Sequence, residues 1–205
     1  LDIEQTGKKV KSLGFDGLDL AVRSGYCINP SNATDMLPAA VEIWKTMGLT
    51  TPMISLGVEA TDPDAPETKA IFEAAAAAEV KLIKIGYFPF TGGDDYWSIV
   101  MRARTVLEGF SKLSQQTGVK TMYHTHSGPN LGSNCAGLVH LLADLDPELV
   151  GAYVDMGHMA VEGEDVEMGL SMVRNRLSAI GAKDARFIEL HDPDAPARWG
   201  KHFVF

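Results

Sequence analysis

Residues 119–128 read Val119-Lys120-Thr121-Met122-Tyr123-His124-Thr125-His126-Ser127-Gly128. Val119, Thr121 and Tyr123 favour extended backbone, and the run closes on a glycine, as a short strand does. The end of this strand is its telling feature. Alternation sends every second side chain of a strand to the same face, so His124 and His126 are expected to share one side. Imidazoles at a strand's carboxyl end fit a sheet of parallel strands, where the following loops converge on one face and hold the chemistry.

Outward from this segment the same unit recurs in both directions. Strands are expected at residues 17–22, 52–57, 80–87, 119–124, 150–155 and 185–191, with starts 28 to 39 residues apart. Segments of helical period separate them: 4–13, 32–47 ending at Gly48, 64–78, 94–116 ending at Gly118, 133–143, and 166–180 closed by Gly181. Strand and helix in alternation require parallel strands joined by crossover helices. The fold class expected is α/β, a (β/α)8 TIM barrel incomplete at one or both ends. A closed barrel needs about 250 residues, whereas this chain fits six units into 205 residues, read as a single domain over 1–205. An open doubly wound sheet shares the alternation and is the competing architecture.

Composition narrows the partners. The net charge of −9 and the pI near 5.1 oppose binding to a phosphate backbone, and the longest basic run is Lys8-Lys9. Nucleic acid is not expected as a partner. No apolar run approaches the roughly 20 residues of a bilayer span, since Ala74 to Ala78 is flanked by Glu73 and Glu79, so no membrane partner is expected. Cys27 and Cys135 leave one disulfide open and offer no paired metal knuckle. The first residues carry neither a basic start nor an apolar signal core. A cytoplasmic location is the expectation, with export after removal of a signal peptide left open, as is assembly into a homo-oligomer.

Two other strand ends join the histidine pair. Val154-Asp155-Met156-Gly157-His158 places a carboxylate at a strand tip and an imidazole shortly after it, past a flexible glycine. In Phe187-Ile188-Glu189-Leu190-His191-Asp192, apolar Ile188 and Leu190 are expected to face the helices, which turns Glu189 and His191 inward. Gathering Asp155 and Glu189 in one cavity is costly unless a cation or protons neutralise them. His124, Asp155 and Glu189 are therefore the candidate metal ligands. Imidazole and carboxylate donors together suit Mn as the first choice, with Zn, Co, Fe or Mg as alternatives, over Ca. A lone buried histidine is also readable as a hydrogen-bonded core residue; recurrence on three neighbouring strand ends is what points to a site.

Weaker candidates surround these. Asp19 and Lys84 interrupt apolar strands, and either aim at the barrel mouth or pair with each other. Arg23 reads as a clamp for a substrate anion or as a solvated loop residue. The aromatic Tyr87-Phe88-Pro89-Phe90 and Tyr96-Trp97 wall a sugar site or simply pack.

With those residues in view, the chain resembles the xylose isomerase-like TIM-barrel superfamily, the sugar phosphate isomerase/epimerase group, over nearly its whole length. The likeness is carried by Leu13-Gly14-Phe15-Asp16-Gly17-Leu18-Asp19-Leu20, by Met122 to Gly128, and above all by Asp155-Met156-Gly157-His158. The resemblance implies metal ligands in the order Glu, Asp, His, Glu on four successive late strands. Here His124 stands at the first Glu position, Asp155 is kept, Glu189 stands at the His position, and the last Glu would fall beyond Phe205. His158 matches the superfamily's substrate-contacting histidine, and His191 falls where relatives often carry a Lys before Asp192. The implied activity is that of a metal-dependent sugar or sugar phosphate isomerase, epimerase or related lyase, which abstracts a proton next to a carbonyl of a small polyhydroxylated substrate. His126, His158 and His191 are its candidate proton carriers, because imidazole titrates near neutral pH; Arg23, Lys84 and His158 are its candidate substrate contacts. The exchange of imidazole for carboxylate keeps a second reading open, a sugar-binding barrel of the same superfamily without catalysis.

Overall fold

A computed structural model describes residues 2–93, 95–189 and 199–204. Six strands make one sheet: β1 (Gly17–Val22), β2 (Thr50–Leu56), β3 (Leu82–Lys84), β4 (Lys120–His124), β5 (Val150–Asp155) and β6 (Leu177–Gly181). Each runs parallel to the next, in unbroken chain order. A doubly wound sheet reverses its order at a switch point, so this is the wall of an incomplete (β/α)8 barrel. Among the described strands β1 and β6 remain the two edges.

Helices cover one face of this wall: α1 (Ile3–Ser12), α2 (Ala33–Thr46), α3 (Pro66–Ala77), α4 (Tyr96–Thr117), α5 (Cys135–Leu142), the short α6 (Met156–Glu162) and α7 (Val166–Val173). Their ends are written locally. Asp95 caps α4 by accepting the Ser98 N–H, and Gly118 stops it in the left-handed region at φ +71°. Between helices and sheet lies the apolar core, in which Ile54, Phe72, Ile83, Leu107, Phe110, Leu138 and Val154 are fully buried. Trp44 ties α2 to α1: its indole N–H donates to the Ile3 carbonyl at 2.8 Å, and Gly7 leaves room for its ring, since a Cβ there would lie 2.6 Å from Trp44 Cδ1. Trp44→Ala is expected to cost about 3–5 kcal/mol, seen as a lowered midpoint in urea unfolding.

The other face of the wall carries polar side chains. Register sets Ser55 beside Lys84 and Lys84 beside Met122, with His124 beside Tyr153 and Asp155 beside Gly181. Asp19, Ser55, Lys84, His124, Tyr153 and Asp155 thereby meet in one cleft at the carboxyl edge of the sheet.

Two stretches depart from the sequence expectation. The helix expected over 166–180 ends at Val173, and the residues after it form β6. The buried β5 needs a hydrogen-bonding partner along its free edge. Arg176 fixes the turn that supplies one: its guanidinium donates to the carbonyls of Leu145 (2.9 Å) and Ala143 (2.8 Å), while its own carbonyl accepts the Ala152 N–H at 2.7 Å. The run expected as the sixth parallel strand is instead β7 (Asp184–Glu189), paired antiparallel with β8 (Trp199–Val204) in a separate two-stranded sheet. Glu189 sits opposite Trp199 there and is exposed. Its inward placement at the barrel mouth does not hold, because β6 has taken the position next to β5. Among the described residues no helix is long and apolar enough to cross a membrane.

Candidate functional site

The cleft has a volume of about 510 Å³, and its lining includes Arg23, Tyr87 and Lys183 from the loops beside the strand residues already named. His124 stands at the end of β4, buried, with both ring nitrogens engaged: Nδ1 lies 2.9 Å from Tyr87 Oη, and Nε2 lies 3.3 Å from Asp155 Oδ2. Burial pulls its pKa down to about 4, and the neighbouring Asp155 carboxylate only partly opposes this. The ring is therefore neutral near pH 7, with a lone pair to offer.

Asp155 ends β5 and starts α6 in one step. Its Oδ1 accepts the His158 N–H at 3.1 Å as the helix cap, while its backbone N–H donates to Thr125 Oγ1 at 2.9 Å. The expected flexible glycine after Asp155 is thus part of a helix, and the cap fixes the His158 backbone beside Asp155. Burial of the carboxyl would raise its pKa, but hydrogen bonds from His124, the His158 N–H and Lys183 outweigh it and hold the group at about 2.

His158 is buried, its Nδ1 2.9 Å from Ser127 Oγ and 3.2 Å from the Ser127 backbone N–H. Burial first, and the positive charge of Lys183 second, lower its pKa to about 3. His126 follows β4 in a half-buried loop, where Nδ1 contacts the Ser127 carbonyl at 3.0 Å. Its ring packs on His158 (centroids 4.2 Å apart) and Tyr87 (4.5 Å). Three imidazoles and a carboxylate from two adjacent strand ends thus share one place.

Lys183, in the short link between β6 and β7, reaches the same place. Its Nζ lies 3.1 Å from Asp155 Oδ2 and 3.2 Å from His158 Nε2. Sequence reading missed this residue because its strand was read as helix. The Lys-before-Asp pair sought at His191-Asp192 is present earlier, as Lys183-Asp184, just after the tip of β6. That pair would have been the signal.

Across the cleft, Lys84 is buried and donates to the Leu56 carbonyl at 3.2 Å, with its ammonium 4.5 Å from the centre of the Tyr87 ring. Burial lowers its pKa to about 8, helped by the Arg23 charge and opposed by Asp19. Asp19 instead accepts from Ser55 Oγ at 3.1 Å, and burial raises its pKa. The expected alternative of a direct Asp19–Lys84 ion pair is not what forms. Arg23 Nε is buried with no hydrogen-bond partner among the described residues.

The structure thus brings His124, His126, Asp155 and His158 together, and lines the same cleft with Arg23 and Lys84. It leaves Glu189 on the separate hairpin, and His191 lies outside the described residues.

Comparison with known proteins decides the family. A family model described as "Xylose isomerase-like TIM barrel" matches residues 8–204. The chain belongs to that family. Among curated members, inosose dehydratase from Mesomycoplasma hyopneumoniae (strain 7448) is 36% identical over 80 residues, which is 39% of this chain and 26% of that protein. The chain therefore matches about a quarter of the relative's length. Inosose dehydratase from Lacticaseibacillus casei is 30% identical over 93 residues, 45% of this chain and 30% of that protein. Among solved structures, 3-keto-D-glucoside 4-epimerase from E. coli superposes with a TM-score of 0.70 at 16% identity, over 87% of this chain and 73% of that one. D-psicose 3-epimerase from Clostridium cellulolyticum H10, solved with D-tagatose, gives 0.69 at 16% identity, over 88% and 67%. The relatives of this xylose isomerase-like barrel are thus enzymes of the sugar isomerase, epimerase and dehydratase kind.

Metal ligation was expected of His124, Asp155 and Glu189. Among the described residues the group that gathers is His124, Asp155 and His158, one ligand atom from each lying within 4.8 Å of the others. The third member of that group is His158, and Glu189 is not in it. The donors fit a divalent ion in kind. His124 has its Nδ1 beside Tyr87 Oη, a partner that can accept Nδ1–H and so aim Nε2 at a metal, whereas His158 Nδ1 accepts the Ser127 backbone N–H and stands beside Ser127 Oγ.

Proposed function

We propose that this xylose isomerase-like barrel is an isomerase, epimerase or dehydratase-type lyase, one that moves a proton at the carbon next to a carbonyl of a small polyhydroxylated substrate. The observation that carries the reading is the gathering of ligand atoms from His124, Asp155 and His158 within 4.8 Å of one another, the first two residues on the cleft wall, with the His126 ring packed on His158. His124, Asp155 and His158 would hold a divalent metal, Mn as first choice, which when bound supplies Lewis acidity to a carbonyl oxygen. His126 is the proton carrier. Donation of its Nδ1–H to the Ser127 carbonyl leaves the Nε2 lone pair for a substrate proton, and burial holds its pKa below the ordinary value, so the ring is neutral and ready as a base. Arg23 and Lys84, on the opposite side, bind substrate oxygens, the buried Arg23 Nε being in need of an acceptor. Similarity to inosose dehydratases and the shared fold with sugar epimerases support the substrate class; fold alone does not select the reaction.

The test is proton exchange. The protein, supplied with Mn²⁺ in D₂O and offered keto-inositols and ketohexoses, is expected to place deuterium next to the carbonyl of at least one of them, read by proton NMR. Saturable sugar binding with no exchange in any member would replace this reading with the sugar-binding barrel.

A further inference from the structure

Three observations around Lys183 point one way. First, its Nζ makes the contacts a metal ion would make, touching Asp155 Oδ2 at 3.1 Å and His158 Nε2 at 3.2 Å. Second, its stem has a place built for it. Gly157 in α6 faces the lysine methylenes, and a Cβ there would lie 2.6 Å from Lys183 Cγ and 2.9 Å from Cε. Third, the strand tip that pairs with Asp155 is Gly181, which offers no ligand; a Cβ at that position would lie 3.0 Å from Asp155 Oδ2.

We infer that the Lys183 ammonium is a tethered cation seated between Asp155 and His158, and that a divalent ion enters this site only by displacing it. The inference rests on the metal reading proposed above and adds the residue that regulates it. A buried carboxylate needs a counter-charge, and here the chain carries its own. A divalent ion on the same donors would lie within a few ångströms of Nζ, where two positive charges repel strongly. The lysine must swing out for the ion to bind, giving up its contacts with Asp155 and His158. The site is therefore complete as a cationic pocket before any metal arrives, and Lys183 sets the metal concentration at which it changes state.

The experiment is a Mn²⁺ titration by calorimetry on the folded protein, run beside Lys183→Met and Gly157→Ala. Lys183→Met keeps an unbranched side chain one atom shorter and removes the charge; it is expected to bind Mn²⁺ at least about tenfold more tightly than the parent. Gly157→Ala keeps the charge and crowds the stem, so it is expected to tighten binding in the same direction, and it stands in should the Met variant fail to fold. Equal affinity in all three would overturn the inference and leave the metal reading in place. Absence of binding in all three would remove both, and the exchange experiment would still decide on proton transfer.

Discussion

Asp155→Ala is expected to lower proton exchange by about a thousandfold or more, on the order of 4 kcal/mol in the activation barrier, and to abolish Mn²⁺ binding. This side chain joins three parts of the site. Its Oδ2 faces His124 Nε2 at 3.3 Å and Lys183 Nζ at 3.1 Å, and its Oδ1 caps α6 through the His158 N–H at 3.1 Å. Alanine removes the charge and the cap together, so two buried histidines lose their orientation and an ammonium loses its counter-ion. Asp155→Asn separates these effects. An amide oxygen still accepts the His158 N–H, so the Asn variant is expected to unfold at higher urea than the Ala variant while remaining as poor in Mn²⁺ binding. Equal urea midpoints would show that the cap contributes little. Exchange retained by both variants would remove Asp155 from the chemistry.

His126→Ala is expected to cut exchange by about a hundredfold to ten-thousandfold, the usual worth of a positioned general base, while Mn²⁺ affinity stays within a factor of about two. The two readouts move apart because His126 is not one of the three gathered ligands. It touches them through ring packing on His158, and its Nδ1 is turned to the Ser127 carbonyl. A parallel loss of Mn²⁺ affinity would make His126 a ligand. Unchanged exchange would pass the proton role to another group on the cleft, with Tyr87, hydrogen-bonded to His124 at 2.9 Å, next in line.

Much of this site was legible in the chain. The strand ending in His124 and the tip residue Asp155 carry their own signals, because a polar residue that ends an apolar strand has one place to go in a parallel sheet. His158 was legible as a residue of the pocket, though not as the third donor. That role follows from α6 starting directly at Asp155, and Gly157, which reads as a hinge in sequence, lies inside that helix and leaves space for a lysine stem. Leu177-Ser178-Ala179-Ile180-Gly181 misled because its small residues continue the apolar period of α7, and only the unpaired edge of β5 draws it into the sheet. Once that strand is misplaced, every later residue shifts with it. Glu189 and His191 were assigned to a strand tip that belongs to Gly181, and Lys183, the cation 3.1 Å from Asp155 Oδ2, went unseen. Pairing partners of this sort depend on which strand is next in space, which local pattern does not encode.

On the reading proposed, strand ends β4 and β5 with the first turn of α6 build one cation seat. Anomalous diffraction at the manganese edge, from crystals of the protein and of Lys183→Met soaked in manganese chloride, tests it most directly. The expected result is a peak bonded to His124, Asp155 and His158, stronger in the Met variant. A peak held by other residues, or none at this cluster in either crystal, would contradict it.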